Sequence, residues 1–154
     1  MDPDALIKTA MRLAKASQRR PRQSDLKRAV STAYYALFHS IARNAADLLV
    51  GTGQVRFEPA WAHIYRALNH GTAKKACGEV RQMGFPAEIC ACADAFVELQ
   101  DARHEADYDP HHRVSLADAL ASVRRAEQAI RDLKAADRRH RRAFAVQVLF
   151  QKRK

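Results

Sequence analysis

An all-α fold is predicted by three features of this chain. Ala, Leu, Arg, Asp and Glu dominate its 154 residues, while aromatics make up 7% and Gly and Pro number five each. That composition suits helices and lacks the residues strands prefer. Apolar residues also recur at three- and four-residue steps, the spacing of one helical face. With 47% apolar residues, a chain of this length can bury about 70% of the surface it exposes when unfolded, enough for one domain.

The first helix is expected from near Pro3 to about Ser17, with Leu6, Ile7, Ala10, Leu13 and Ala14 on its apolar face. Basic residues 19–22, broken by Pro21, form the turn. Ser24 is placed to cap the second helix, which runs to about Val50 and stops at Gly51 and Gly53. Its stripe of Leu26, Val30, Ala33, Leu37, Ile41, Ala45 and Leu48, widened by Tyr34 and Phe38, suits a central helix with several neighbours. Pro59 opens a third helix through Trp61, Ile64, Tyr65 and Leu68, ending near Gly71, and a weaker helical stretch covers Thr72 to Val80.

Met83 to Pro86 reads as a turn into a fourth helix, on which Ile89, Cys92, Phe96 and Leu99 share one face. In the last helix, Ser115 and Asp118 form a capping box, Val114 can staple the entry, and Leu116, Leu120, Val123, Ile130 and Leu133 supply the buried side. Beyond Asp137 the stripe gives way to basic residues, then resumes as Phe144, Val146, Val148, Leu149 and Phe150. This apolar patch in a charged tail suggests a docking segment, or a helix continued onto a partner. The chain therefore divides into a bundle over residues 1–137 and a basic extension over 138–154.

No apolar run approaches the ~18 residues needed to cross a bilayer, and the start, Met1-Asp2-Pro3-Asp4, is acidic where a signal peptide is basic. A soluble cytoplasmic protein without membrane contact is expected. Cys77, Cys90 and Cys92 are odd in number, and the C-x-C pair lacks the spacing of a zinc site, so buried reduced thiols are expected and neither metal nor cofactor is.

The net charge of +10 is unevenly placed. Residues 1–30 carry eight Lys/Arg and three Asp, residues 31–137 carry twelve and fourteen, and residues 138–154 carry seven and none. Basic ends around a neutral body attract phosphate backbones, which makes Arg138, Arg139, Arg141, Arg142, Lys152, Arg153 and Lys154 candidate nucleic-acid contacts. A solubilising tail is the plainer alternative.

At about 100° per residue, Arg103 falls on the Ile89, Cys92, Phe96, Leu99 stripe. A guanidinium aimed at a core must meet a carboxylate, reach water at the bundle end, or face a cleft that receives an anion. Asp107, one turn on, can supply a structural ion pair. Around it stand His104, Glu105, Tyr108, Asp109, His111, His112 and Arg113. Histidine moves protons near neutral pH and arginine neutralises a phosphate, the two requirements of phosphodiester cleavage. The metal reading is weaker, because His111 and His112 are adjacent and the carboxylates form no known ligand set. His39, opposite the stripe of the second helix and beside Tyr35, suits a surface or interface role. Tyr34, Tyr35 and Trp61 suit packing.

The stretch Arg28-Ala29-Val30-Ser31-Thr32-Ala33-Tyr34-Tyr35-Ala36-Leu37-Phe38-His39, followed about 60 residues later by Ala102-Arg103-His104-Glu105-Ala106-Asp107-Tyr108-Asp109, resembles the HEPN superfamily (higher eukaryote and prokaryote nucleotide-binding). The likeness covers residues 5–135. It implies an up-and-down bundle of four to five helices and a homodimer, in which an Arg and a His four to six residues downstream cleave RNA without metal across the dimer groove. It also implies a nucleotidyltransferase-type antitoxin as partner.

Arg103 matches the family arginine, but Tyr108 stands where the histidine belongs. Two readings follow. Either Arg103, Asp107 and Tyr108 work with His104, His111 or His112 in a toxin-like endoribonuclease, or the site is a relic in a noncatalytic module that binds nucleic acid or protein partners.

Overall fold

The computed structural model describes residues 1–17 and 19–153. In chain order it contains α1 (Pro3–Lys15), α2 (Gln23–Leu49), α3 (Glu58–Ala67), α4 (His70–Cys77), α5 (Ala87–Tyr108), α6 (Leu116–Ala135) and α7 (Arg138–Leu149), with a 3-10 turn at Gly53–Val55. The described residues form no strand, so the all-α expectation holds. None of the helices is long and apolar enough to cross a membrane.

Alanine governs the packing around α2. Ala29, Ala33, Ala36, Ala42, Ala45 and Ala46 are all fully buried along it, and α1, α3, α5, α6 and α7 pack on it. Small side chains let several helices approach one axis, and the larger residues Tyr34, Leu37 and Ile41 fill the spaces between. The main core joins these to Ile89, Cys92, Phe96 and Leu99 of α5, Val123 and Ile130 of α6, and Phe144 and Val148 of α7. A smaller cluster of Ala14, Leu26, Val30, Ala106, Val114 and Ala119 closes the end where α5 turns into α6.

Local signals set most helix ends. Asp2 caps α1 by accepting from the Asp4 N–H at 3.0 Å. The capping box at Ser115 and Asp118 forms in both directions, with Val114 and Ala119 buried together beside it. Gly51 ends the α2 exit with φ of 122°, and a Cβ there would come within 3.0 Å of the Val55 side chain.

Three boundaries differ from expectation. α2 starts at Gln23, and the residue at its cap, Arg22, makes no side-chain cap bond; Ser24 lies inside the first turn. The Gln23 amide instead grips Val114, donating to its carbonyl at 2.8 Å and accepting from its N–H at 2.9 Å, which ties the α5–α6 loop to α2. The third helix stops at Ala67, because Asn69 accepts from the N–H groups of Gly71 and Thr72 and starts α4.

The third difference is α7. Asp137 caps it by accepting from the His140 N–H at 2.8 Å, and the hydrogen bonds from His140 hold its carboxyl below the usual range. Part of the apolar patch of the tail is then covered by the chain itself. Phe144 is 0% exposed and Val148 is also buried, while Val146 and Phe150 face outward. No external partner is needed to cover Phe144.

Candidate functional site

The site is built where α5 crosses the first half of α2. All of Ile89, Cys92, Phe96 and Leu99 are buried, and Arg103 continues their stripe inward at 8% exposure. Its guanidinium carbon lies 5.1 Å from the Tyr34 ring centroid and 5.8 Å from those of Tyr35 and Tyr108. Three aromatic faces thus surround one cation, an arrangement that substitutes ring quadrupoles for part of its lost hydration.

Charge compensation is incomplete. The Arg103 Nη1 to Asp107 Oδ2 distance is 3.7 Å, too long for a hydrogen bond. The same carboxylate oxygen accepts from Ser31 Oγ at 3.2 Å. Arg103 Nε is buried and has no hydrogen-bond partner. The Arg103–Asp107 pair expected from the i,i+4 spacing is therefore present, but loose.

Beside it, Ser24, Asp25, Lys27, Arg28, Ser31 and Asp107 line an open recess of about 400 Å³. Lys27 and Arg28 bring positive charge within one helical turn of Ser31.

The structure adds a histidine that no sequence motif singled out. His70, the first residue of α4, is stacked on Phe38 with centroids 4.3 Å apart. Its Nδ1 lies 2.6 Å from the Tyr34 hydroxyl. Burial pushes the Tyr34 phenol well above its usual value, against the pull of Arg103, so it stays protonated and donates to Nδ1. The remaining proton of neutral His70 then sits on Nε2. Asn69 capping α4 was the one signal that could have drawn attention to this position.

His39 makes the parallel arrangement, with Nδ1 on the Tyr65 hydroxyl and its ring stacked on Tyr65. Tyr65 stacks in turn on Trp61, whose Nε1 donates to Asp47 at 2.9 Å. His39, Tyr65 and Trp61 thus form a half-buried aromatic row beside the Arg103 cage.

Burial lowers the pKa of both His39 and His70 from the ordinary 6.5, and the Arg103 charge adds to the effect at His70. A group depressed on folding stabilises the fold above its unfolded pKa, and that contribution is lost as pH falls through the folded value. Thermal melts at about pH 7.5 and about pH 5.5 should show a Tm loss that shrinks in the His39→Gln, His70→Gln double variant. An unchanged difference would mean that other groups carry the acid sensitivity.

The remaining candidates are distributed more widely. His104 is exposed, its ring 4.9 Å from that of Tyr108. His112 Nδ1 lies 3.7 Å from Glu105 Oε2. His111 is exposed, and its backbone N–H donates to the Asp109 carboxylate at 2.9 Å. The turn at Pro110 thus directs His112 toward Glu105, and none of the three imidazoles is hydrogen-bonded to Arg103, whose Nε has no partner.

Arg138, Arg139 and Arg142 are exposed on α7, as are Lys152 and Arg153 beyond it, while Arg141 is half-buried with Nε donating to the Ala136 carbonyl at 3.1 Å. Lys154 lies outside the described residues. Cys77, Cys90 and Cys92 are free and buried, and burial pushes the Cys77 thiol up to about 12. Among the described residues, no group of three or more His, Cys, Asp or Glu side chains is placed to hold a metal ion.

Comparison with protein families, with curated proteins and with solved structures finds no significant match to this chain.

Proposed function

We propose that this chain is a HEPN-type RNA-acting protein, an up-and-down helical bundle working as a homodimer, that receives a backbone phosphate at Arg103. One observation carries the reading: a cation 8% exposed, caged by three tyrosines, with its carboxylate held off at 3.7 Å. A phosphate oxygen can satisfy such a guanidinium better than the existing contact does. Tyr108 and Tyr35 offer faces on which unpaired bases stack, and Lys27 and Arg28 line the approach.

In the cleaving version, Arg103 neutralises charge on the phosphate and exposed His104, held beside Tyr108, moves the proton. The noncatalytic version has a specific observation in its favour: His112 is turned to Glu105 and His70 is occupied by Tyr34. In that case the same surface binds RNA, or a nucleotidyltransferase-type antitoxin, without chemistry.

Single-stranded RNA titrated at several salt concentrations, with a chelator present, tests both. Binding is expected to weaken steeply with salt, and replacing exposed Arg138, Arg139 and Arg142 by Gln should reduce the log–log slope by up to about 2, at about 0.7 per phosphate contact on a single strand. Cleavage products separate the catalytic from the binding version. No binding even at low salt would remove the RNA reading altogether.

A further inference from the structure

His70 has one nitrogen to spare. The Tyr34 side chain is fully buried, and its hydroxyl has a single hydrogen-bond partner among the described residues, His70 Nδ1 at 2.6 Å. A buried hydroxyl with no other acceptor donates its proton there. Nδ1 therefore accepts, and the proton of the neutral ring is fixed on Nε2. Satisfying Tyr34 accounts for Nδ1 and leaves Nε2 free. Nε2 makes no hydrogen bond among the described residues and, unlike Arg103 Nε, is not a buried atom.

The imidazole is also held in one orientation. Phe38 stacks on it with centroids 4.3 Å apart and planes 24° from parallel. Tyr35 meets it edge-on at 5.9 Å, and the Tyr34 hydroxyl fixes its rotation through Nδ1. A donor held in this way loses little freedom when it meets an acceptor.

Position supplies the second argument. Arg103 and His70 border the same two rings. The guanidinium carbon lies 5.1 Å from the Tyr34 centroid and 5.8 Å from that of Tyr35; the imidazole centroid lies 5.6 Å and 5.9 Å from them. One group comes from α5 and the other from α4. The Arg103 charge adds to burial in lowering the His70 pKa, so the ring is neutral at neutral pH and its Nε2–H is a constant donor. His70 is also the first residue of α4, and the positive end of a helix favours an anion.

We infer that His70 Nε2–H is a second donor to the phosphate received by Arg103, an inference that rests on the RNA reading above. Arg103 supplies the charge and the planar fork, and neutral His70 supplies one directed N–H to a phosphoryl oxygen. His70 takes up no proton in this role, because Tyr34 already occupies its accepting nitrogen.

Imidazole nitrogen NMR spectra of the full chain, with and without a single-stranded oligouridylate, test the inference beside RNA titrations of variants. The free protein should show His70 as the Nε2–H tautomer. The oligonucleotide should shift the His70 Nε2 and Hε2 resonances of the wild type. His70→Ala should lower RNA affinity by about fivefold, the scale of one directed donor. Tyr34→Phe keeps the ring but releases the tautomer, and should cost about twofold or more. If RNA binds the wild type and Arg103→Met weakens it, then unmoved His70 resonances, or wild-type affinity in His70→Ala, would overturn the inference and leave the RNA reading standing. An Nδ1–H tautomer in the free protein would overturn it whatever the RNA result, and absence of RNA binding by the wild type would remove both.

Discussion

Arg103→Met is expected to lower affinity for single-stranded RNA by about tenfold or more, the worth of one charge-assisted phosphate contact, while Tm moves by only a few degrees. Methionine keeps the apolar stem of the side chain and removes the charge with the guanidinium that faces Tyr34 and Tyr35. Removing one member of a buried ion pair usually costs about 3–5 kcal/mol, because the other is stranded. Here Asp107 is 30% exposed by its side chain and accepts from Ser31, so water and the hydroxyl can solvate it. If the wild type cleaves RNA, the same substitution should reduce the rate by about 10² or more, the scale for deleting one preorganised donor to developing charge. Arg103→Lys should fall close to Met, since an ammonium keeps the charge but loses the planar fork and the ring stacking. The opposite pattern, a loss of about 3 kcal/mol in stability with RNA binding intact, would make Arg103 a structural ion pair and end the functional reading. Denaturant unfolding and RNA titration on the same preparations decide between them.

Phe144→Ala should destabilise the protein by about 3–5 kcal/mol, a large share of the ~5–15 kcal/mol a domain of this kind possesses. The ring is fully buried and sits edge-on to Phe85 with centroids 6.4 Å apart. Val146→Ala, two residues on at a position 46% exposed, should change stability by no more than ~0.5 kcal/mol. Equal unfolding midpoints for wild type and Phe144→Ala would mean that α7 is detached in solution. The result bears on how the basic end is studied. Deleting residues 138–154 to test nucleic-acid binding would remove Phe144, Ala145 and Val148 from the core, so lost binding would report unfolding. Substituting the exposed arginines avoids that confusion.

Helix identity and facing were legible from the sequence because they depend on residues within four positions of one another. The Ile89 to Arg103 stripe, the Ser115–Asp118 box and the breadth of the α2 face are all of this kind. The break before α4 is read near Gly71 in the sequence and falls at Asn69 in the structure, and the boundary at Asp137 is read as the start of a basic extension where the structure starts α7. Both residues are good caps, but the glycine and the run of arginines were the louder signals.

The composition and periodicity of this chain determine that it is helical, that α2 is central and that one arginine points inward, since these follow from side-chain size and a fixed angle per residue. Which groups meet that arginine was decided only by tertiary packing. Tyr34 and His70 are 36 residues apart, and their pairing depends on how α4 docks against α5 and α7. Hydrophobic burial, which drives that docking, has no directional preference that a sequence pattern can record.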